Sequence, residues 1–314
     1  MGDRYLIVSL DGGGIRGIVS SRLLERVEIA RPGFLDRVDL FAGTSTGGII
    51  ALALAAGHSP GKMIELYRAH GRGVFAETRR RVSRSIDRLV RPRYDNEPLR
   101  RMLGELFGSM TLGDLPHKVL VSTFQLDAIV GATEDAGNET SRHSWKPKFF
   151  HNFAEDGSTD RDRLVVDVAM MTSAAPTFFP IYQGFVDGGV VAANPSVCAI
   201  AQALDPRTGG KDIEDLMLLS VGTGSHPKFL AIDNPNWGFA RWAPHLLPIM
   251  FEGGTGIADF QCRQLLGTRY LRIDASVPKR IGLDGVESIP LLGQAADAGS
   301  LDHVVRWLDP VFVS

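Results

Sequence analysis

The chain has 314 residues, 44% of them apolar and 22% charged, which suits a sizeable core in one large domain or two small ones. A formal net charge of −2 gives no global pull toward nucleic acid, so a nucleic-acid polymer is not an expected partner. Only two cysteines are present, Cys198 and Cys262, with no CxxC pair; this excludes a disulfide scaffold and reads as two reduced, buried thiols.

The chain runs Met-Gly-Asp-Arg directly into Tyr5–Leu10 (YLIVSL), a β-rich apolar run that ends in glycines and reads as a buried strand; no secretory signal is visible. Residues 18–30 follow with helical spacing of Leu23, Leu24 and Val27, and residues 38–42 form a second short strand ending at Gly43. Residues 49–56 make the longest apolar run and a buried helix, far short of the about 20 residues a bilayer span needs. The expected location is therefore cytoplasmic, with transient peripheral association at a membrane. Residues 79–93 hold seven arginines with Val82, Ile86, Leu89 and Val90 at helical spacing, a basic amphipathic helix for an anionic membrane surface or a solvated surface helix. Residues 118–125 (KVLVSTFQ) and 216–221 (LMLLSV) are further buried strands, and residues 135–143 and 155–162 read as polar loops. Residues 237–251, rich in Trp, Phe and Leu and broken by Pro244 and Pro248, read as a lid or acyl-chain wall, or equally as core. Strands alternating with helices predict an α/β fold, a three-layer sandwich with a mostly parallel central sheet covered by helices on both faces, in one domain spanning 1–314.

Three motifs bear on chemistry. Asp11-Gly12-Gly13-Gly14-Ile15-Arg16-Gly17 lies between a strand and a helix, where consecutive glycines let backbone N–H groups approach an anion without a Cβ in the way. That anion is either a phosphate or a developing oxyanion. Gly12, Gly14 and Gly17 also satisfy G-x-G-x-x-G, with Asp36 and Asp39 near the place of a ribose-binding acid, so a nucleotide-binding enzyme using the glycine loops as phosphate sites is the competing reading. Gly43-Thr44-Ser45-Thr46-Gly47 is G-x-S-x-G between strand and helix, the context of a nucleophile elbow. Val186-Asp187-Gly188-Gly189 places an acid at a strand end, although Asp-Gly pairs are also common turns. None of the eight histidines lies in a recognisable motif, although His226 and His303 follow the acid in the order an α/β-hydrolase triad requires.

DGGGIRG, GTSTG and DGG in this order resemble the patatin-like phospholipase family, and residues 94–108, 172–180 and 220–224 extend the likeness along most of the chain. The resemblance implies a serine lipid acyl hydrolase of phospholipase A or lysophospholipase type acting on membrane phospholipid or another acyl lipid. In it Ser45 is the nucleophile and Asp187 its base, a dyad instead of a triad. Gly12, Gly13 and Gly14 supply the oxyanion hole, and Arg16 stands at the family's basic position as a substrate- or phosphate-binding residue. No cofactor or metal is implied, and no acidic cluster resembles a calcium loop. Some bacterial relatives of this size are switched on by cyclic nucleotides in anti-phage signalling, so a small-molecule activator and a homo-oligomer are compatible partners. Ala193-Asn194-Pro195 departs from the two asparagines of many members, which touches a loop contact and not the dyad.

Overall fold

The computed structural model describes residues 4–76, 91–135, 138–154, 157–227, 229–230 and 235–312. Its centre is a seven-stranded sheet in the order β4-β3-β2-β1-β6-β7, with β5 paired to β3. The strands are β1 (Tyr5–Leu10), β2 (Leu40–Thr44), β3 (Lys118–Asp135), β4 (Asn138–His151), β5 (Phe185–Asp187), β6 (Leu216–Val221) and β7 (Tyr270–Ile273). The pairs β3-β2, β2-β1, β1-β6 and β6-β7 are parallel, and β4 and β5 add antiparallel to β3. All residues of β1, β2 and β6 are buried, as expected of parallel strands covered on both faces.

The period-2 alternation of β1 divides the core. Leu6, Val8 and Leu10 join the larger apolar cluster, with α1 (Gly17–Ala30), α2 (Thr46–Ala55), α3 (Pro60–Val74), α4 (Glu97–Phe107) and α5 (Val165–Thr172) on one face. Tyr5 and Ile7 meet α7 (Ser196–Leu204) and the end of α8 (Phe239–Leu266) on the other. A short α6 (Gly189–Ala192) follows β5, and α9 (Ile289–Asp297) and α10 (Asp302–Phe312) close the chain against α1. The three-layer α/β sandwich expected from the sequence is the architecture observed. Every residue of α2 is buried, which its uninterrupted apolar and glycine composition requires.

Three boundaries moved. β2 runs two residues later than expected, so that it delivers Thr44 directly to Ser45. α2 starts at Thr46 because the turn is compressed against its first residues. Asp135 and residues 138–143, expected within a loop over 135–143, instead belong to strands β3 and β4, with Thr133 opposite Thr140 and Glu134 opposite Glu139. The hydrogen bonds of such a ladder run cross-strand rather than along the sequence. Of residues 79–93, only Arg91, Pro92 and Arg93 are described, so the basic stretch lies almost wholly outside the described residues.

Candidate active site

The carboxyl ends of neighbouring parallel strands β1 and β2 carry the two loops on which the chemistry depends, the position where open α/β sheets hold ligands. β2 ends at Thr44, and Ser45 follows in a left-handed backbone conformation with φ 55° and ψ −125° before α2 begins. Strain of this kind in a non-glycine residue persists only where the surroundings over-determine it. Here they do: the Ser45 N–H donates to Thr172 Oγ1 at 2.8 Å, and Thr172 Oγ1 donates to the Ser122 carbonyl at 2.7 Å. Thr44 Oγ1 donates to the Ala192 carbonyl at 2.6 Å. The flanking glycines are explained by close approach. A Cβ at Gly43 would lie 2.1 Å from the Gly47 carbonyl oxygen, and one at Gly47 2.3 Å from that of Leu10.

β5 brings Asp187 to the same place from far along the chain. The Asp187 carboxyl group is hydrogen-bonded to the Ser45 side chain and accepts the Gly189 N–H at 2.7 Å. Burial pushes its pKa up to about 6, against the lowering effects of the Ser45 and Gly189 hydrogen bonds. Both glycines of the DGG motif are close-approach residues. A Cβ at Gly188 would meet the Ser122 carbonyl oxygen at 2.2 Å, and one at Gly189 the Phe251 ring at 2.6 Å. The Asp-Gly turn reading therefore explains less of this motif than packing does.

Of the glycine loop, two members keep free donors. The Gly12 N–H donates to the Ala193 carbonyl at 2.9 Å, so the oxyanion role expected of Gly12 is corrected: it braces the loop. The N–H groups of Gly13 and Gly14 have no acceptor among the described residues, and both glycines line the cavity at Ser45. Gly14 needs its φ of 58°, and a Cβ there would lie 2.2 Å from the Leu283 carbonyl oxygen. A Cβ at Gly13 would lie 2.4 Å from Thr223 Oγ1. Arg16 does not line the cavity. Its guanidinium donates to the carbonyls of Gly13, at 3.3 Å, and Gly224, at 3.4 Å, and so fastens the loop instead of binding substrate.

Behind the loop lies a buried charge network absent from the sequence reading. Arg272 bonds Asp11 at 2.6 Å and donates to Ser220 Oγ at 2.8 Å, while Asp274 accepts the Gly224 N–H at 2.7 Å. Burial outweighs the Arg272 guanidinium and holds the Asp11 carboxyl at about 6. Thr172, Ala193, Thr223 and Leu283 are supports that the sequence reading missed, because each acts through a backbone carbonyl or a single hydroxyl that no motif marks. The Ala193 departure is harmless on this geometry, since the contact at that position is made by its carbonyl.

The cavity, about 70 Å³, is walled mostly by apolar residues such as Ile49, Met63, Leu66, Met102, Phe178 and Phe251, with Ser45, Thr46, Tyr67, Ser173, Asp187 and the two glycines as its polar members. None of the eight histidines lines it. His117 and His226 contact the backbone carbonyls of Val38 and Val277 through Nδ1, each at 3.1 Å. Asp39, the acid nearest to a ribose-binding position, instead accepts the Leu6 N–H at 2.7 Å within the sheet. A Cβ at Gly12 would lie 3.4 Å from Ser45 Cβ, so the glycine loop abuts the elbow. Within residues 237–251, Phe251 is a cavity wall. The core reading of that segment fails for Phe239, Trp242, Leu246, Ile249 and Met250, which are all exposed.

Comparison with known proteins gives the family. Residues 8–197 match the family model described as patatin-like phospholipase. The protein CotR of Bacillus subtilis is 30% identical over 302 residues, covering 88% of each chain. Protein teg of Priestia megaterium is 32% identical over 246 residues, covering 78% of this chain and 71% of its own. A Pseudomonas aeruginosa protein named cGAMP-activated phospholipase is 29% identical over 280 residues, covering 86% of this chain and 78% of its own. The chain belongs to the patatin-like phospholipase family.

Proposed function

We propose that the protein is a serine lipid acyl hydrolase of phospholipase A or lysophospholipase type, with Ser45 as nucleophile and Asp187 as its base. The observation that carries this reading is the hydrogen bond between the Ser45 side chain and the buried Asp187 carboxyl group, made in a cavity whose walls are mostly apolar. A carboxylate at its ordinary pKa of about 3.9 is a poor base near neutrality; one raised to about 6 is better matched to the task.

Ser45 Oγ attacks the ester carbonyl and passes its proton to Asp187. The oxyanion that forms accepts from the Gly13 and Gly14 N–H groups, which are already in place and need no reorganisation. Asp187 then returns the proton to the departing alcohol oxygen. Water, activated by the same carboxylate, cleaves the acyl-enzyme and regenerates Ser45. The apolar walls suit a fatty-acyl chain, so the substrate class is an ester of membrane lipid, met by a protein that lies in the cytoplasm and contacts the membrane peripherally. The whole chain, 1–314, acts as one hydrolase domain in this reading, because β6, β7 and Leu283 all contribute to the site from beyond the middle of the chain.

The test is lipid mass spectrometry of phospholipid vesicles incubated with the protein and with Ser45→Ala, with and without cGAMP, since one relative is named for activation by it. Release of free fatty acid by the wild type alone is the expected result. Equal release by Ser45→Ala would overturn the assignment.

A further inference from the structure

α8 has three faces. With 3.6 residues per turn, Trp242, Leu246, Ile249, Met250, Ile257 and Phe260 share an arc of roughly 100°. All six are exposed, Trp242 at 40% and Phe260 at 63%. The opposite side, with Ala258, Cys262 and Leu266, is buried against the sheet. Arg241, Glu252, Asp259 and Arg263 occupy the remaining side, clear of the apolar arc. A surface this apolar on one helix marks an interaction site.

Two observations identify the occupant. The first is that one helix serves both places: Phe251, next in sequence to Met250, lies on the inner side of α8 and walls the cavity beside Ser45 and Asp187, while the stripe faces outward. The second is chemical. Along the edge of the stripe lies a cavity of about 530 Å³ in which Pro248 and Ile249 meet Arg280, with His226, His245 and Glu252 around it. A guanidinium beside an apolar stripe suits a phosphodiester headgroup above acyl chains. None of the described helices is long and apolar enough to cross a membrane, so α8 meets the bilayer lying in its plane.

We propose that this face of α8 docks the protein on a phospholipid bilayer, with the apolar stripe among the upper acyl chains and phosphodiester headgroups against Arg280. The proposal rests on the reading of the protein as a lipid acyl hydrolase, and it puts the helix that walls the catalytic cavity at the lipid from which the substrate must come.

Binding is measured on the full chain carrying Ser45→Ala, by co-sedimentation with phosphatidylcholine–phosphatidylglycerol vesicles, so that it does not depend on catalysis. Adding Leu246→Asp and Phe260→Asp is expected to lower the vesicle-bound fraction by about tenfold or more, while Leu246→Met with Phe260→Leu keeps it. In the active background the aspartate pair is expected to keep turnover of a soluble short-chain ester and lose hydrolysis of vesicle phospholipid. The proposal is overturned if the unsubstituted surface binds no vesicles, or if the aspartate pair binds them as well as its parent. It is also overturned if light scattering shows a dimer that the aspartate pair splits with vesicle binding unchanged, which would make this face a contact between two copies. A wild type without ester turnover refutes the enzymatic reading alone, because the vesicle measurement is made on Ser45→Ala.

Discussion

At the scale of single residues, the site combines a strained serine with a carboxylate held where burial disfavours its charge. The pH dependence follows from the Asp187 pKa of about 6. Below that value Asp187 is protonated and cannot take the Ser45 proton, so kcat/KM should rise with pH and level off above about 6. A profile flat down to about pH 4 would exclude Asp187 as the titrating base. The same shift has a consequence for stability. The folded state holds the Asp187 proton more tightly than the unfolded chain, so its contribution favours folding at low pH and is lost as pH rises from about 4 to about 6. A raise of about two units corresponds to about 3 kcal/mol. Asp187→Asn should therefore abolish turnover yet melt higher than wild type near pH 8, with the gap closing toward pH 4 in thermal melts. A lower melting temperature near pH 8 would mean that the hydrogen bonds of the carboxylate outweigh its burial. By contrast His226→Ala and His303→Ala should each keep most activity, since neither lines the cavity. One folded but inactive histidine variant would replace the dyad by a triad.

The elements act by forcing backbones together. The elbow exists because β1, β2 and α2 touch through glycines, with the Leu10 carbonyl 2.3 Å from where a Gly47 Cβ would stand. Gly47→Ala must push backbone against backbone, and a destabilisation of about 1–3 kcal/mol or more is expected in denaturant unfolding. A Gly47→Ala protein of wild-type stability would show that the elbow has slack. The oxyanion loop differs, because the obstacle to a Cβ at Gly13 is the side chain of Thr223. Gly13→Ala should therefore fold, while displacing one donor and lowering kcat by about 10²–10³. Near-normal kcat in that variant would place the oxyanion hole elsewhere. Gly14→Ala meets a backbone carbonyl at a positive φ and should be worse in both respects.

For the whole molecule, the arrangement of the sheet decides what can be removed. The family match ends at residue 197, but β6 lies between β1 and β7, and its six residues pair with all of β1. Leu283 accepts the Ile15 N–H at 2.8 Å and walls the cavity beside Gly14. A chain ending after α7 would leave β1 as an unpaired edge with an exposed apolar face, a template for aggregation. Such a truncation should give no cooperative melt by circular dichroism and no esterase activity. A soluble, active fragment would show that the remainder is a separate unit packed on the first.

Local signals were legible because they are local: six-residue apolar runs that must be buried on both faces, glycines flanking a serine at a strand–helix junction, and an acid followed by two glycines. These suffice for the α/β layers and for naming Ser45 and Asp187 as candidates, since each depends on neighbours in the chain. What required the tertiary structure depends on partners distant in sequence. Sheet order puts the Ala193 carbonyl against Gly12, which removes one of three expected donors and leaves Gly13 and Gly14. It puts the Thr172 hydroxyl under Ser45 and the Gly224 carbonyl within reach of Arg16, where Arg16 braces the loop. Asp135 and residues 138–143 are strand because their hydrogen bonds lie across to the neighbouring strand. The apolar residues of α8 look the same in the sequence whether they face a core or a membrane; only the neighbours brought to each side of the helix decide which of them are buried.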